Sequence, residues 1–162
     1  MYYSADYGQS WTLLAVGLAE TTYEADVDSL AGSSDGRFRI VANDGLNIGY
    51  AETPAAIIIP NKAPFVTLAN PLDGSEFVPG GLVVLVGSGT DLEDGNIPDE
   101  KLVWSSDRQG ELGYGSSLPI ATLEPGTHQI TLTATDSYGI SSSETVSIFI
   151  GYRLYLPVAA KK

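Results

Sequence analysis

Four carboxylates, Asp91, Glu93, Asp94 and Asp136, have the types and spacing best suited to chemistry in this sequence. Three fall within Asp91-Leu-Glu-Asp-Gly95, and the fourth follows the run Ile130-Thr-Leu-Thr-Ala-Thr135. Carboxylate oxygens are hard ligands, so four of them brought together would suit Ca²⁺. The competing reading makes Asp136 the cap of a hairpin and the other three solvated turn residues. Catalytic residues are not expected. The single His128, which reads as a surface or edge residue, has no cysteine beside it to build a typical zinc site. No serine lies in a nucleophile-elbow sequence, and no Ser-His-Asp arrangement is suggested.

Aromatic side chains are a second candidate. Tyr2, Tyr3, Tyr7, Tyr114, Tyr138 and Tyr152 could stack on sugar rings if exposed, although Tyr is also an ordinary strand residue. Composition narrows the partners. The formal charge is −12, from 20 acidic and 8 basic residues, which repels phosphate backbones and argues against nucleic acid. No apolar run approaches a membrane span; Ala55-Ala-Ile-Ile-Ile59 and Leu82-Val-Val-Leu-Val86 are far too short. The chain has no cysteine, so disulfides are excluded. Met1-Tyr2-Tyr3 reads as mid-strand, the pattern expected if Met1 is a cloning start on an excised fragment.

The elements that must position these residues come in two copies. Trp11 and Trp104 lie 93 residues apart, as do Leu30 and Leu123. Arg37-Phe-Arg-Ile-Val-Ala-Asn-Asp44 matches Gln129-Ile-Thr-Leu-Thr-Ala-Thr-Asp136 at an offset of 92. Phe38, Ile40 and Ala42 thus correspond to Ile130, Leu132 and Ala134, with the period-two spacing of a half-buried strand. With 43% hydrophobic residues in short runs, 18 Gly and 9 Pro, the chain reads as all-β. The layout fits two consecutive immunoglobulin-like β-sandwich modules, each with its Trp at the centre.

In that layout 9–14 and 101–106 are strand C, 37–43 and 128–135 strand F, and 49–59 and 141–150 strand G. Phe65–Ala69 is strand A and Leu82–Ser88 strand B of the second module. The expected domains are 1–60, 61–150 and a strand-like tail, 151–162. Pro60-Asn-Lys-Ala-Pro64 forms the linker. The first module lacks strands A and B, which leaves Phe38, Ile40 and Trp11 partly uncovered and a sheet edge open. Strand pairing by the tail Tyr152-Arg-Leu-Tyr-Leu-Pro-Val158, or by a neighbouring chain, is one way to cover the gap. Asp44 ends strand F of a module with no B–C loop, which favours the hairpin-cap reading of Asp136.

Gly87-Ser-Gly-Thr-Asp-Leu-Glu-Asp-Gly95, Leu102-Val-Trp-Ser105 and Gly126-Thr-His-Gln-Ile-Thr-Leu-Thr-Ala-Thr-Asp136 resemble PKD-type and related bacterial immunoglobulin-like domains. Tyr3-Ser-Ala-Asp-Tyr-Gly-Gln-Ser-Trp11 and Arg39-Ile-Val-Ala-Asn-Asp-Gly45 resemble the C-terminal part of a fibronectin type III module. The second module departs from the commonest PKD pattern, having Trp104-Ser-Ser-Asp107 in place of Trp-x-Phe-Gly-Asp-Gly. The resemblance implies a non-catalytic accessory or spacer module of an exported or cell-surface bacterial protein. Its partners would be the neighbouring domains of the parent protein. Calcium near the acidic loop is implied in some such modules; a carbohydrate- or protein-binding adhesion module is the alternative. Ser4-Ala-Asp-Tyr-Gly-Gln-Ser-Trp11 also resembles the Asp-box of sialidases. Occurring once, it reads as a hairpin turn with Trp11 packed beneath.

Overall fold

The computed structural model describes residues 1–153. The chain is all-β: its described regular elements are strands and two single-turn 3-10 helices, Val27–Ser29 and Asp99–Lys101. Its antiparallel sheets are consistent with tandem immunoglobulin-like or fibronectin type III-like sandwiches. Two compact units divide between Lys62 and Ala63.

The first unit contains β1 (Tyr2–Ser4), β2 (Thr12–Leu13), β3 (Ser33–Asn43), β4 (Ile48–Glu52) and β5 (Ile57–Ile59). They form one sheet in the order β2-β1-β3-β4, with β5 paired to the early half of β3. Strand G, expected as one piece over 49–59, is therefore divided. Pro54 cannot donate to a ladder, and the chain steps away from β3 between β4 and β5. Thr53 closes the first half instead: its N–H donates to the Phe38 carbonyl at 3.0 Å, and its hydroxyl accepts from the Phe38 N–H at 3.2 Å.

Trp11 is not the centre of this unit, contrary to the expectation from the repeat. The strand beside β3 is β1, and Tyr3 stands opposite Phe38 with ring centroids 5.2 Å apart. Tyr3, Leu30 and Ile59 form the buried core, with Leu14, Ala25 and Phe38 packed against them. The Tyr3 hydroxyl donates to the Ala31 carbonyl at 2.7 Å, tying residues 14–32 across this part of the sheet. Trp11 lies beyond the β1–β2 turn, half-buried. The Trp spacing matched residue type, not structural position.

The second unit is a two-sheet sandwich. Its strands are β6 (Phe65–Asn70), β7 (Glu76–Phe77), β8 (Val83–Asp91), β9 (Gly95–Asn96), β10 (Leu102–Ser106), β11 (Gly110–Tyr114), β12 (Ser117–Ile120), β13 (Gly126–Thr135) and β14 (Ser141–Ile150). One sheet runs β11-β10-β13-β14-β7, with β7 parallel to β14; the other runs β12-β8-β6, with β9 on β8. Alternation is strict on β13, where His128, Ile130, Leu132 and Ala134 are all buried. They meet Val66, Val83 and Leu85 of the facing sheet around Trp104, which is 0% exposed. Burial of this indole leaves its N–H needing a partner, and it donates to the Gly115 carbonyl at 2.8 Å.

The matching positions of the first unit fare differently. Phe38 is only half-buried, Ile40 is 47% exposed and Ala42 is exposed. Alternation specifies a face, but burial needs a second layer to press against it. Of the tail, Tyr152 is exposed and Arg153 pairs with Glu76 at 3.0 Å. The rest of the proposed covering strand Tyr152–Val158, residues 154–158, lies outside the described residues.

Candidate functional site

The acidic loop and the β13–β14 turn do meet. The Ser137 N–H donates to Asp94 Oδ2 at 2.6 Å, and the Ser137 hydroxyl donates to Asp94 Oδ1 at 2.8 Å. The two loops border a shallow hollow of about 240 Å³ lined by Asp94, Asn96, Lys101 and Asp136 among others.

Two of the four carboxylates, Asp91 and Asp136, are engaged by their own turns. Asp91 Oδ1 accepts from the Glu93 and Asp94 N–H groups at 2.9 and 3.0 Å, the geometry of an Asx turn. Asp136 is buried, and its Oδ1 accepts from the Ile140 N–H at 2.7 Å, closing the β13–β14 hairpin. Among the described residues no three Asp, Glu or His side chains are grouped to hold a metal ion. Asp91 Oδ2 is buried without a hydrogen-bond partner, while Asp94 has both oxygens engaged. Lys101 adds positive charge to the hollow's lining. Asp44 does the same turn work in the first unit: its Oδ1 accepts from Leu46 and Asn47 N–H groups at 2.9 and 2.7 Å. These bonds favour the ionised form and hold the Asp44 carboxyl below its ordinary range.

Ser4–Trp11 is likewise a turn. Tyr7 and Gly8 adopt positive φ, 61° and 85°. Asp6 Oδ1 accepts from the Ser10 N–H at 2.8 Å and the Ser4 hydroxyl at 2.7 Å, and Oδ2 accepts from the Ser10 hydroxyl at 2.6 Å. Those donors, the Ser10 hydroxyl first, lower its pKa from 3.8 to about 2. The Trp11 indole N–H donates to the Gly8 carbonyl at 3.0 Å, so the ring packs back on the turn.

His128 is not a surface residue; it is 0% exposed. Its Nε2 lies 2.7 Å from the Glu124 carbonyl, which can only accept, so Nε2 carries a proton. In the neutral ring Nδ1 then accepts from the Ser106 hydroxyl, 2.8 Å away. This resembles a Ser–His hydrogen bond of catalysis, but both side chains are buried, and Ser106 also accepts from the Arg108 N–H at 3.2 Å. The pair joins neighbouring strands, β10 and β13, from inside the sandwich. The strict alternation of β13 placed residue 128 on the inner face and was the available signal.

Tyr3, one of the possible sugar-stacking residues, is buried and removed from that role. Tyr2 is half-buried; Tyr7, Tyr114, Tyr138 and Tyr152 are exposed. Three residues outside the sequence-based set join Tyr7 in the first unit: Arg37, Arg39 and Tyr50. The Arg37 guanidinium lies 4.1 Å from the Tyr7 ring centre, and Arg39 lies 3.9 Å from Trp11 and 5.0 Å from Tyr50.

No family model matches the sequence. No curated protein matches it either. Among solved structures, the fibronectin(III)-like modules of Clostridium thermocellum CbhA superpose with a TM-score of 0.45 at 16% identity, covering 56% of this chain and 100% of that one. An engineered protein superposes with a TM-score of 0.40 at 16% identity, covering 61% of this chain and 22% of its own.

Proposed function

We propose that this chain is a non-catalytic accessory module that acts as a spacer within a larger exported or cell-surface protein. The observation that supports it most is the filled interior of the second unit. Trp104, Leu85, Ile130 and Leu132 close the space between the sheets, and the conspicuous polar groups, Asp91, Asp94, Asp136 and the Ser106–His128 pair, bond to the protein itself. A catalytic site needs converging polar groups that a substrate can reach, whereas a spacer needs a close-packed body that keeps its shape. The sequence resemblance to PKD-type and fibronectin type III modules supplies the exported setting and the neighbouring domains as partners.

The absence of cysteine makes the test direct. Nitroxides on cysteines placed at Ala63 and Tyr152 would mark the two ends of the second unit. A spacer gives one narrow distance distribution by pulsed electron resonance. A broad distribution, or turnover of glycoside, ester or peptide substrates by the unmodified chain, would overturn the proposal.

A further inference from the structure

One face of the first unit combines aromatic rings with positive charge. Arg37 and Arg39 project from the same side of β3, two residues apart. Arg39 is compensated: Glu52 Oε1 accepts from its Nη2 at 2.6 Å and its Nε at 2.9 Å, while the Trp11 and Tyr50 rings flank it. Arg37 differs. Its guanidinium rests on Tyr7, but among the described residues no carboxylate pairs with it, and its buried Nε–H meets no acceptor. Cation–π contact offsets only part of the need of a guanidinium for an anion. The adjoining rings are open to solvent, with Tyr7 62% and Tyr50 69% exposed.

We infer that this face binds a uronate-bearing oligosaccharide. The apolar side of a pyranose ring stacks on the exposed Tyr7 ring, and the sugar carboxylate pairs with the Arg37 guanidinium that rests on it. Charge complementarity selects this occupant. A neutral sugar leaves Arg37 uncompensated, and a polyphosphate chain supplies the charge but no apolar ring face to lie on the tyrosines. An acidic peptide answers the charge but not the flat rings. The inference goes beyond the spacer reading and does not depend on it.

The test titrates the full chain with tri-galacturonate, cellotriose and hexaglutamate in parallel, followed by heat and by tryptophan emission. Trp11 is the reporter, since it stands on this face. Tri-galacturonate should bind saturably, more weakly as salt rises, and at least about tenfold more tightly than either comparison ligand. Arg37→Gln should weaken it by about tenfold or more. Tyr7→Asn should do likewise while keeping the turn, because Asn tolerates the positive φ at this position. It decides the matter should Arg37→Gln fail to fold. Equal binding of cellotriose or hexaglutamate, undiminished affinity in the folded variants, or no binding of tri-galacturonate would each overturn the inference.

Discussion

Asp94 and Ser137, 43 residues apart in the chain, are joined by two hydrogen bonds of 2.6 and 2.8 Å that fasten the acidic loop to the β13–β14 turn. The contact uses both carboxylate oxygens. It ties the loop to the turn through groups of the protein itself, and this sets an expectation for calcium. Millimolar Ca²⁺ or EDTA should move the melting midpoint by less than about 1 °C, since an ion stabilises only by the affinity it has for the folded form. Asp94→Ala should lower stability by about 1 kcal/mol, the contact being exposed. Saturable stabilisation by Ca²⁺, lost in Asp91→Asn, would instead support a shared calcium site.

Gly87 on β8 allows a close approach of the two sheets. A β-carbon there would overlap Leu132 Cδ2, and would stand 2.7 Å from the Thr67 carbonyl oxygen and 3.3 Å from Trp104 Cη2. Gly87→Ala should therefore destabilise the second unit by about 1–3 kcal/mol through overpacking. Thermal denaturation followed by near-ultraviolet dichroism checks it. An unchanged midpoint would mean that the sheets can separate freely here.

The two tryptophans should differ sharply in energetic weight. Trp104→Ala empties the middle of a closed core and should cost about 3–5 kcal/mol. Trp11→Ala removes a half-buried ring and its contact with Arg39, worth about 1 kcal/mol. Urea unfolding of each variant separates the cases; equal losses would contradict the placement of Tyr3 at the centre of the first unit.

Asp6 predicts an acid dependence. Its folded pKa is held at about 2, below the ordinary 3.8, by the Ser10 hydroxyl and N–H and the Ser4 hydroxyl. Stability from this group is therefore fully present above the unfolded value and is lost as pH falls from about 4 toward 2. In Asp6→Asn the first unit should lose that part of its pH dependence. Carbon-detected NMR titration of the Asp6 carboxyl reads the pKa itself, and a midpoint near 3.8 would show that the turn is not closed in solution.

Local chemistry determined much of this from the sequence alone. Alternation at Ile130, Leu132 and Ala134 depends only on the two-residue period of a strand, and those residues are buried as that period requires. The Asp6 turn could be read for a similar reason, because its hydrogen bonds all form within a few residues.

Tertiary structure decided what such patterns meet. The same spacing at Phe38, Ile40 and Ala42 leads toward solvent, since burial depends on what lies across from a face rather than on the face itself. For His128 alternation gives the inner face, but only the packed sandwich determines that the imidazole there is enclosed and finds Ser106 and Glu124. Trp11 and Tyr3 exchanged roles because register, set by which strand lies against β3, cannot be taken from residue type. Whether carboxylates gather around an ion or each complete a turn likewise depends on ångström-scale distances between loops, which spacing along a chain does not contain.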